Sequence, residues 1–413
     1  MVIRLAEKAR SAFPVLANLT AQQKNNILRA MSKALLEKQE HIINANKKDI
    51  RNAKRKNLPA AFIDRLSLSK ARIKSMSDSH KVLAGLPGPV GETIKQWKAP
   101  NGLKIAKVRV PIGVIAIIYE SRPDVTSDCI GLCLKSGNCV ILRGGSEAIN
   151  SNKAIYNVLS SVLTKFSIPG GAVGLVSTTR REDVRALLKL NDYIDLVIPR
   201  GGEGLIRQVS RISRIPVIKH YKGVCHVYVH KDADFSMAEE ICFNAKVQRP
   251  GTCNAMETML VDKKIAPCFL PGMIKRFQDA GVLIRGCLTT GKIAKGIRPA
   301  VDKDFRTEYL DLILSVKVVK DLAEAIRHIN DYGSHHSDAI VTNNSFAAEE
   351  FLKRVDSACV YHNASTRLTD GYQFGMGAEM GISTGRLHAR GPMALEELTT
   401  YKYVISGKGQ IRT

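Results

Sequence analysis

VIAIIYESRPDVTSDCIGLCLKSGNCVILRGG, residues 114–145, decides the architecture. Val114 to Tyr119 is apolar without alternation, the pattern of a strand covered on both faces within a parallel sheet. Val125 to Lys135 reads as a helix and Asn138 to Leu142 as the next strand. Arg143-Gly144-Gly145-Ser146 then turns the chain into a helix that runs to Phe166. Strand-like runs recur at Val173–Val176, Ile194–Ile198, Val217–Ile218 and Val224–Val229, several of them separated by helical segments. Such alternation predicts a doubly wound α/β domain. A second αβ series begins near Phe235. Its strands are expected at Met256–Val261, Leu314–Val319 and Ala339–Val341, and its helices at Pro267–Asp279, Leu322–Asp331 and Ala347–Val355.

Residues 1–90 read as helical. Ile27, Leu28, Met31, Leu35 and Leu36 recur at helical spacing between Ala21 and Glu37, and Thr20 suits the N-cap. Past the turn-rich GLPGPVG at 85–91, Glu92 to Val110 reads as a β-hairpin around Pro100-Asn101-Gly102, since Asn-Gly is a strong short hairpin signal. The tail TTYKYVISGKGQIR, residues 399–412, reads as strands around Gly407-Lys408-Gly409.

A chain of 413 residues suggests two or three domains, and 45% hydrophobic residues are enough for sizeable cores. No apolar run approaches the roughly 18 residues of a membrane-spanning helix. MVIRLAEKARSAF has no apolar signal region, so the expected address is the cytoplasm. The nine cysteines are scattered and odd in number, which speaks against a disulfide framework. Cys129 and Cys133 lack the second pair that a zinc site needs. The net charge of +24 raises the question of nucleic acid. The one dense basic run, Lys47, Lys48, Arg51, Lys54, Arg55 and Lys56, has no interleaved aromatic residues. It reads as a solvated surface, and no nucleic-acid partner is expected.

Two glycine-rich turns follow expected strands and open expected helices: Arg143-Gly144-Gly145-Ser146 and Arg200-Gly201-Gly202-Glu203-Gly204. Glycines let a backbone approach phosphate, helix N-termini attract anions, and arginine supplies paired donors. Neither turn has the full GxGxxG pattern, and each alone also reads as a tight strand–helix connection. Two in one sheet point to a nucleotide. Cys253 follows a Pro-Gly turn in VQRPGTCNA, residues 247–255, just before an expected strand. Exposure in a loop beside Arg249 suits a reactive thiol, while a buried structural cysteine is the alternative.

Longer stretches carry a resemblance. They include VPIGVIAIIYESRPDVT at 110–126, IPRGGEGL at 198–205, GVCHVYV at 223–229 and QRPGTCNAMETMLV at 248–261. VVKDLAEAIRHINDYGSHHSDAI at 318–340 and YHNASTRLTDGYQFGMGAEMGISTGRLHARGPMALEELTTYK at 361–402 are the longest. Over nearly its whole length the chain resembles the gamma-glutamyl phosphate reductase (glutamate-5-semialdehyde dehydrogenase) family of the aldehyde dehydrogenase superfamily.

The resemblance implies an aldehyde dehydrogenase-like fold of two doubly wound α/β domains plus a β-hairpin oligomerisation element, and hence a homo-oligomer. The cofactor domain would span 1–91 and 111–232, the catalytic domain 233–397, and the oligomerisation element 92–110 and 398–413. It implies that Cys253 is the nucleophile. Its thiolate would expel phosphate from gamma-glutamyl phosphate, the thioester would take hydride from NADPH, and glutamate 5-semialdehyde would leave, the second step of proline synthesis from glutamate. The Cys253 backbone N–H is one oxyanion donor. Ordinary aldehyde dehydrogenases carry a hydrolytic glutamate where this chain has IPVIKHYKGVCHVYVHK, 215–231, with no Asp or Glu. Ser121 stands where those enzymes place an oxyanion-binding asparagine.

For the substrate's charged groups, the motifs offer Arg122, Arg249, Arg367 and Arg390, with Asn363, Ser365 and Thr366 for the glutamyl head and Asn254 beside the thiol; a structural arginine or a polar turn residue is the alternative reading of each. For NADPH they offer Arg143 toward the adenosine ribose and its 2′-phosphate, Gly144, Gly145, Arg200, Gly201 and Gly202 at the turns, and Glu308 for the nicotinamide ribose. Glu308 reads equally as a solvated glutamate before a strand. No metal is expected. The chain opens on a reductase-like segment, so the acyl phosphate is expected from a separate glutamate kinase. A conventional aldehyde dehydrogenase is the competing reading, and the missing upstream carboxylate opposes it.

Overall fold

The computed structural model describes residues 1–219 and 221–412. His220, within the carboxylate-free stretch, and Thr413, at the end of the expected oligomerisation element, lie outside them. The chain opens with α1 (Val2–Ala17), α2 (Ala21–Glu37), α3 (Gln39–Arg55), α4 (Ala60–Leu66) and α5 (Lys70–Gly85). α2 starts where the sequence places it. The Thr20 hydroxyl accepts from the Gln23 N–H at 3.2 Å, and the Gln23 side chain accepts from the Thr20 N–H at 2.8 Å. Its apolar stripe, Ile27, Leu28, Met31 and Leu35, is buried.

The hairpin follows as β1 (Thr93–Lys98) and β2 (Lys104–Pro111), paired antiparallel. Then come β3 (Val114–Tyr119), α6 (Asp124–Lys135), β4 (Cys139–Arg143), α7 (Ile149–Lys165), β5 (Val173–Leu175), α8 (Arg181–Leu187), β6 (Leu196–Arg200) and α9 (Glu203–Ile212). The four strands form a parallel sheet in the order β5-β4-β3-β6. β3 is internal and all six of its side chains are buried, which accounts for its unbroken apolar run. The expected strand at Val217–Ile218 is only an isolated bridge to Val197. Pro216 accepts from the Val197 N–H at 2.9 Å but has no N–H of its own to extend a ladder.

The second series comprises β7 (Cys225–Val229), α10 (Phe235–Val247), β8 (Met256–Asp262), α11 (Ala266–Asp279), β9 (Leu283–Gly286) and α12 (Leu288–Ile293). It continues through β10 (Arg298–Pro299), β11 (Ile313–Val319), α13 (Leu322–Tyr332), β12 (Ser337–Val341), α14 (Ser345–Arg354) and β13 (Cys359–His362). Its seven strands are parallel, in the order β10-β9-β11-β8-β7-β12-β13. Val227, Met259, Phe269, Phe277 and Val316 are among the residues of its core. The two-residue strands β14 (Ile382–Ser383) and β15 (Gly391–Pro392) pair with each other, and β16 (Thr399–Ser406) pairs antiparallel with β2.

Two units result. One comprises residues 1–219, 375–381 and 393–413, the other 220–374 and 382–392. The expected boundary at 232 is therefore corrected: β7 lies between β8 and β12 in the seven-stranded sheet. A buried strand has the same local pattern in either sheet, so its allocation was not readable locally. The C-terminal tail gives one strand instead of several. Beyond Ser406, the Gln410 side chain accepts from the Lys408 N–H and donates to the Asn101 carbonyl at 3.2 Å, closing the tail onto the hairpin turn. The three-stranded sheet β1-β2-β16 exposes Ile94, Trp97, Tyr401, Tyr403 and Ile405.

The helical layer contains a titratable group that constrains stability. His80 on α5 is buried against α6, with Nε2 2.9 Å from the Ser127 hydroxyl. Burial lowers its pKa to about 4. In the unfolded chain the ring titrates near 6.5. The unfolded state thus binds the extra proton first, and stability present above about pH 6.5 is lost as pH falls toward 4. We expect the urea midpoint to drop across that window and His80→Gln to flatten part of the drop. Identical profiles for the two proteins would show that the ring is not held neutral by burial.

Candidate active site

Cys253 lies in the turn between α10 and β8 and is half-buried. Its backbone is pressed against Gly223: a Cβ there would stand 1.8 Å from the Cys253 carbonyl oxygen, so only glycine fits. The same carbonyl accepts from the Cys225 thiol at 3.2 Å. Cys225 is buried, and burial pushes its thiol well above the ordinary range. Burial likewise raises Cys129, Cys133, Cys139 and Cys242. Cys287, which the sequence reading passed over, behaves differently. Burial opposes its ionisation, but hydrogen bonds from Thr290, Val318 and Thr289 outweigh it and pull the thiol down.

The turn is braced by a segment more than a hundred residues away. The Thr366 hydroxyl donates to the Asn254 carbonyl at 2.8 Å. The Asn254 amide donates to the Thr369 carbonyl at 2.9 Å, and its oxygen accepts from Thr252 and Arg367. Ser365, also buried, caps the short turn by accepting from the Arg367 N–H at 3.3 Å. Asn363, at φ +54°, pairs both ends of its amide with the Thr342 backbone, at 2.9 and 3.0 Å. Asn254, Asn363 and Thr366, candidates for the substrate, have polar atoms hydrogen-bonded within the protein. Arg390 is likewise engaged within the protein. It donates to Asp356 at 2.8 Å, and Arg386 pairs with the same carboxylate.

Arg249 is exposed. Arg367 is within electrostatic reach of both Arg249 and Cys253, and donates to Gln248 at 3.0 Å. Burial and the Arg249 charge lower its pKa, though a guanidinium keeps its charge at any working pH. Glu308 accepts from the Gly223 N–H at 2.9 Å. The structure thus brings a carboxylate to a stretch whose own sequence has none. Beneath the turn, Lys246 on α10 and Glu257 on β8 form a fully buried pair at 2.6 Å. Burial raises Glu257 to about 7 and lowers Lys246, while each partner's charge opposes the shift in the other. Glu257 also accepts from the Leu310 N–H at 3.1 Å, tying the Glu308 turn to the same support.

In the other unit, the two glycine-rich turns differ. The 143–146 turn borders a cavity of about 340 Å³, within the range of small-ligand sites. Arg143, Arg181 and Arg185 line it together with apolar Ile118, Val184 and Leu205. Arg143 has a buried Nε with no partner among the described residues. Gly144 packs against Tyr119 and Asn152, and Gly145 against Glu147, whose carboxylate accepts from the Ser121 N–H at 2.9 Å. Ser121 is buried and Arg122 exposed. At the second turn the backbone meets a carboxylate of the protein. Gly202 donates its N–H to Glu120 at 2.8 Å, Gly201 packs on the same carboxylate, and the Arg200 guanidinium lies against Gly381.

The brace is testable apart from any ligand. Thr366→Val leaves the buried Asn254 carbonyl short of a donor and is expected to cost about 1–3 kcal/mol in urea unfolding. Thr366→Ser should retain most of that stability. A Thr366→Val protein as stable as the unsubstituted chain would remove the brace as the support of the turn.

The aldehyde dehydrogenase family model matches residues 1–283 and 299–404. A gamma-glutamyl phosphate reductase of Thermodesulfovibrio yellowstonii is 55% identical over 412 residues, covering 100% of this chain and 99% of that protein. The crystal structure of a gamma-glutamyl phosphate reductase from Thermotoga maritima superposes with a TM-score of 0.98 at 46% identity, over 100% of both chains. An acetylating aldehyde dehydrogenase from Geobacillus thermoglucosidasius shares the fold, with a TM-score of 0.70 at 15% identity over 100% of this chain and 97% of that one. The chain belongs to the aldehyde dehydrogenase family and, within it, to the gamma-glutamyl phosphate reductases.

Proposed function

We propose that this enzyme reduces L-gamma-glutamyl 5-phosphate to L-glutamate 5-semialdehyde and phosphate with NADPH, through a thioester on Cys253, as the second step of proline biosynthesis from glutamate. The observation that carries the reading is the half-buried Cys253 in a turn braced on both sides, with the Arg367 cation within electrostatic reach. A half-buried thiol on a fixed turn is reachable by substrate, and covalent catalysis splits one hard step into two easier ones. The relatives' names supply the substrate.

The sulfur attacks the acyl carbon, the S–C bond forms, and the C–O bond to phosphate breaks. The Cys253 backbone N–H receives the negative charge that develops on the acyl oxygen. Arg249 and Arg367 attract the substrate's anionic groups. Collapse of the thiohemiacetal breaks the S–C bond and returns the thiolate. The 340 Å³ cavity suits an adenosine end: it joins apolar walls to Arg143, Arg181 and Arg185, cations of the kind a 2′-phosphate requires. NADPH supplies the hydride when bound. Glu308 is proposed to exchange its Gly223 contact for the nicotinamide ribose. An acyl phosphate is labile, which supports functional coupling to a separate glutamate kinase, and the proposed address is the cytoplasm. Among the described residues, no helix is long and apolar enough to cross a membrane. The exposed apolar residues of the β1-β2-β16 sheet support a homo-oligomer.

The test is NADP⁺ reduction by purified protein with glutamate 5-semialdehyde, with and without phosphate, for the native chain and Cys253→Ala. Strict phosphate dependence that disappears in the variant is the expected result. Turnover without phosphate would mean that water reaches the thioester, and the hydrolytic reading would replace this one. Absence of turnover under both conditions would remove the substrate assignment.

A further inference from the structure

The basic run of α3 is held rigidly beside the 143–146 turn. On the buried side of the helix, the Asp49 carboxylate accepts from the Ser151 N–H at 2.8 Å, the Ser151 hydroxyl at 2.6 Å and the Asn150 side chain at 2.7 Å. It thereby caps the first turn of α7, the helix that this glycine-rich turn opens. Asn46 donates to the Ser151 hydroxyl at 3.0 Å and to the Leu66 carbonyl at 2.8 Å. Ala53 packs with Ala148 in a small apolar cluster. These contacts leave Arg51, Lys54, Arg55 and Lys56 exposed on the other side.

Two hollows then flank one turn. A groove of about 460 Å³ is lined by Asn52, Arg55, Lys56, Leu58, Ser146 and Glu147. The proposed adenosine cavity is lined by Arg143, Gly145, Ser146 and Glu147 among others, so Ser146 and Glu147 belong to both. Glu147 is engaged at both oxygens, one accepting from the Ser121 N–H at 2.9 Å and the other from the Ser146 hydroxyl at 3.4 Å. The cations on the two sides of the turn outnumber that carboxylate. Arg55 also donates to Asn52, which holds its guanidinium along the groove. Lys48, Arg51 and Lys54 line an adjoining hollow with Asn150 and extend the positive field.

We propose that Arg55 and Lys56, across the shared turn from Arg143, help to hold the phosphate monoester on the adenosine ribose and so select NADPH over NADH. The proposal rests on the reading of the neighbouring cavity as the adenosine site. It assigns a role to a run whose sequence alone reads as solvated surface.

The experiment uses the full chain and the double variant Arg55→Ala/Lys56→Ala. Both side chains are exposed, and equal thermal midpoints confirm intact folding. The KM for NADPH should rise about tenfold or more while kcat stays within about twofold and NADH kinetics do not change. In calorimetry, affinity for adenosine 2′,5′-bisphosphate should fall by the same factor and affinity for 5′-AMP should hold. Equal losses toward both coenzymes, or no loss toward either, would overturn the proposal. Retained bisphosphate affinity in the variant, with AMP still bound, would overturn it alone. If the unsubstituted protein binds neither nucleotide, the adenosine reading fails and this proposal falls with it.

Discussion

Gly223 and Cys253 share a space that admits no side chain. A Cβ at position 223 would overlap the Cys253 carbonyl oxygen, so the start of β7 and the cysteine turn hold a single relative position. Other contacts follow from that approach. The Cys225 thiol, two residues along, reaches the same carbonyl. The Gly223 N–H reaches Glu308. A reactive sulfur needs a backbone that does not drift, because small displacements at the attacking atom are costly in rate. Here that precision comes from backbone contact within one parallel sheet, where β7 and β8 pair directly.

Much of the fold was readable because parallel strands buried on both faces leave an unbroken apolar signature. Val114–Tyr119 matches β3 to the residue, and the Asn101-Gly102 turn marks the hairpin. What failed to show was partnership. Nothing local in GVCHVYV tells which sheet it joins, whereas in IPVIK the strand expected at Val217–Ile218 left Pro216, which has no N–H for a ladder, out of account. The chain also returns to the first unit at 375–381 after crossing the second, a change of allegiance without a composition signal.

The site divided in the same way. Cys253 stood out because a loop thiol after Pro-Gly is chemically conspicuous. Its supports did not, since Asn254, Thr366 and Asn363 are polar residues in loops and look like ligand-binding residues until their partners are known. Their hydrogen bonds run to backbone groups more than a hundred residues away for Asn254 and Thr366, and to Thr342 for Asn363. Arg390 shows the converse. An arginine in a motif suggests an anionic ligand, but Asp356 already provides the anion. The carboxylate-free stretch at 215–231 keeps that character in its own sequence, while chain topology brings Glu308 to its edge.

The buried Lys246–Glu257 pair shows why such supports are polar at all. Removing two charges from water costs more than their attraction returns unless further hydrogen bonds help, so apolar replacements of equal volume often match the stability of such pairs. Direction distinguishes this pair from an apolar contact. Lys246 stands at the last turn of α10 and Glu257 at the second residue of β8, on either side of the cysteine turn. A 2.6 Å charge-assisted contact between them fixes the separation of the two ends of the loop, and the second Glu257 oxygen carries that constraint to Leu310, beside Glu308. An apolar pair would fill the same volume while letting the ends slide. The register of the nucleophile is therefore tied to the register of the carboxylate turn through one buried side chain.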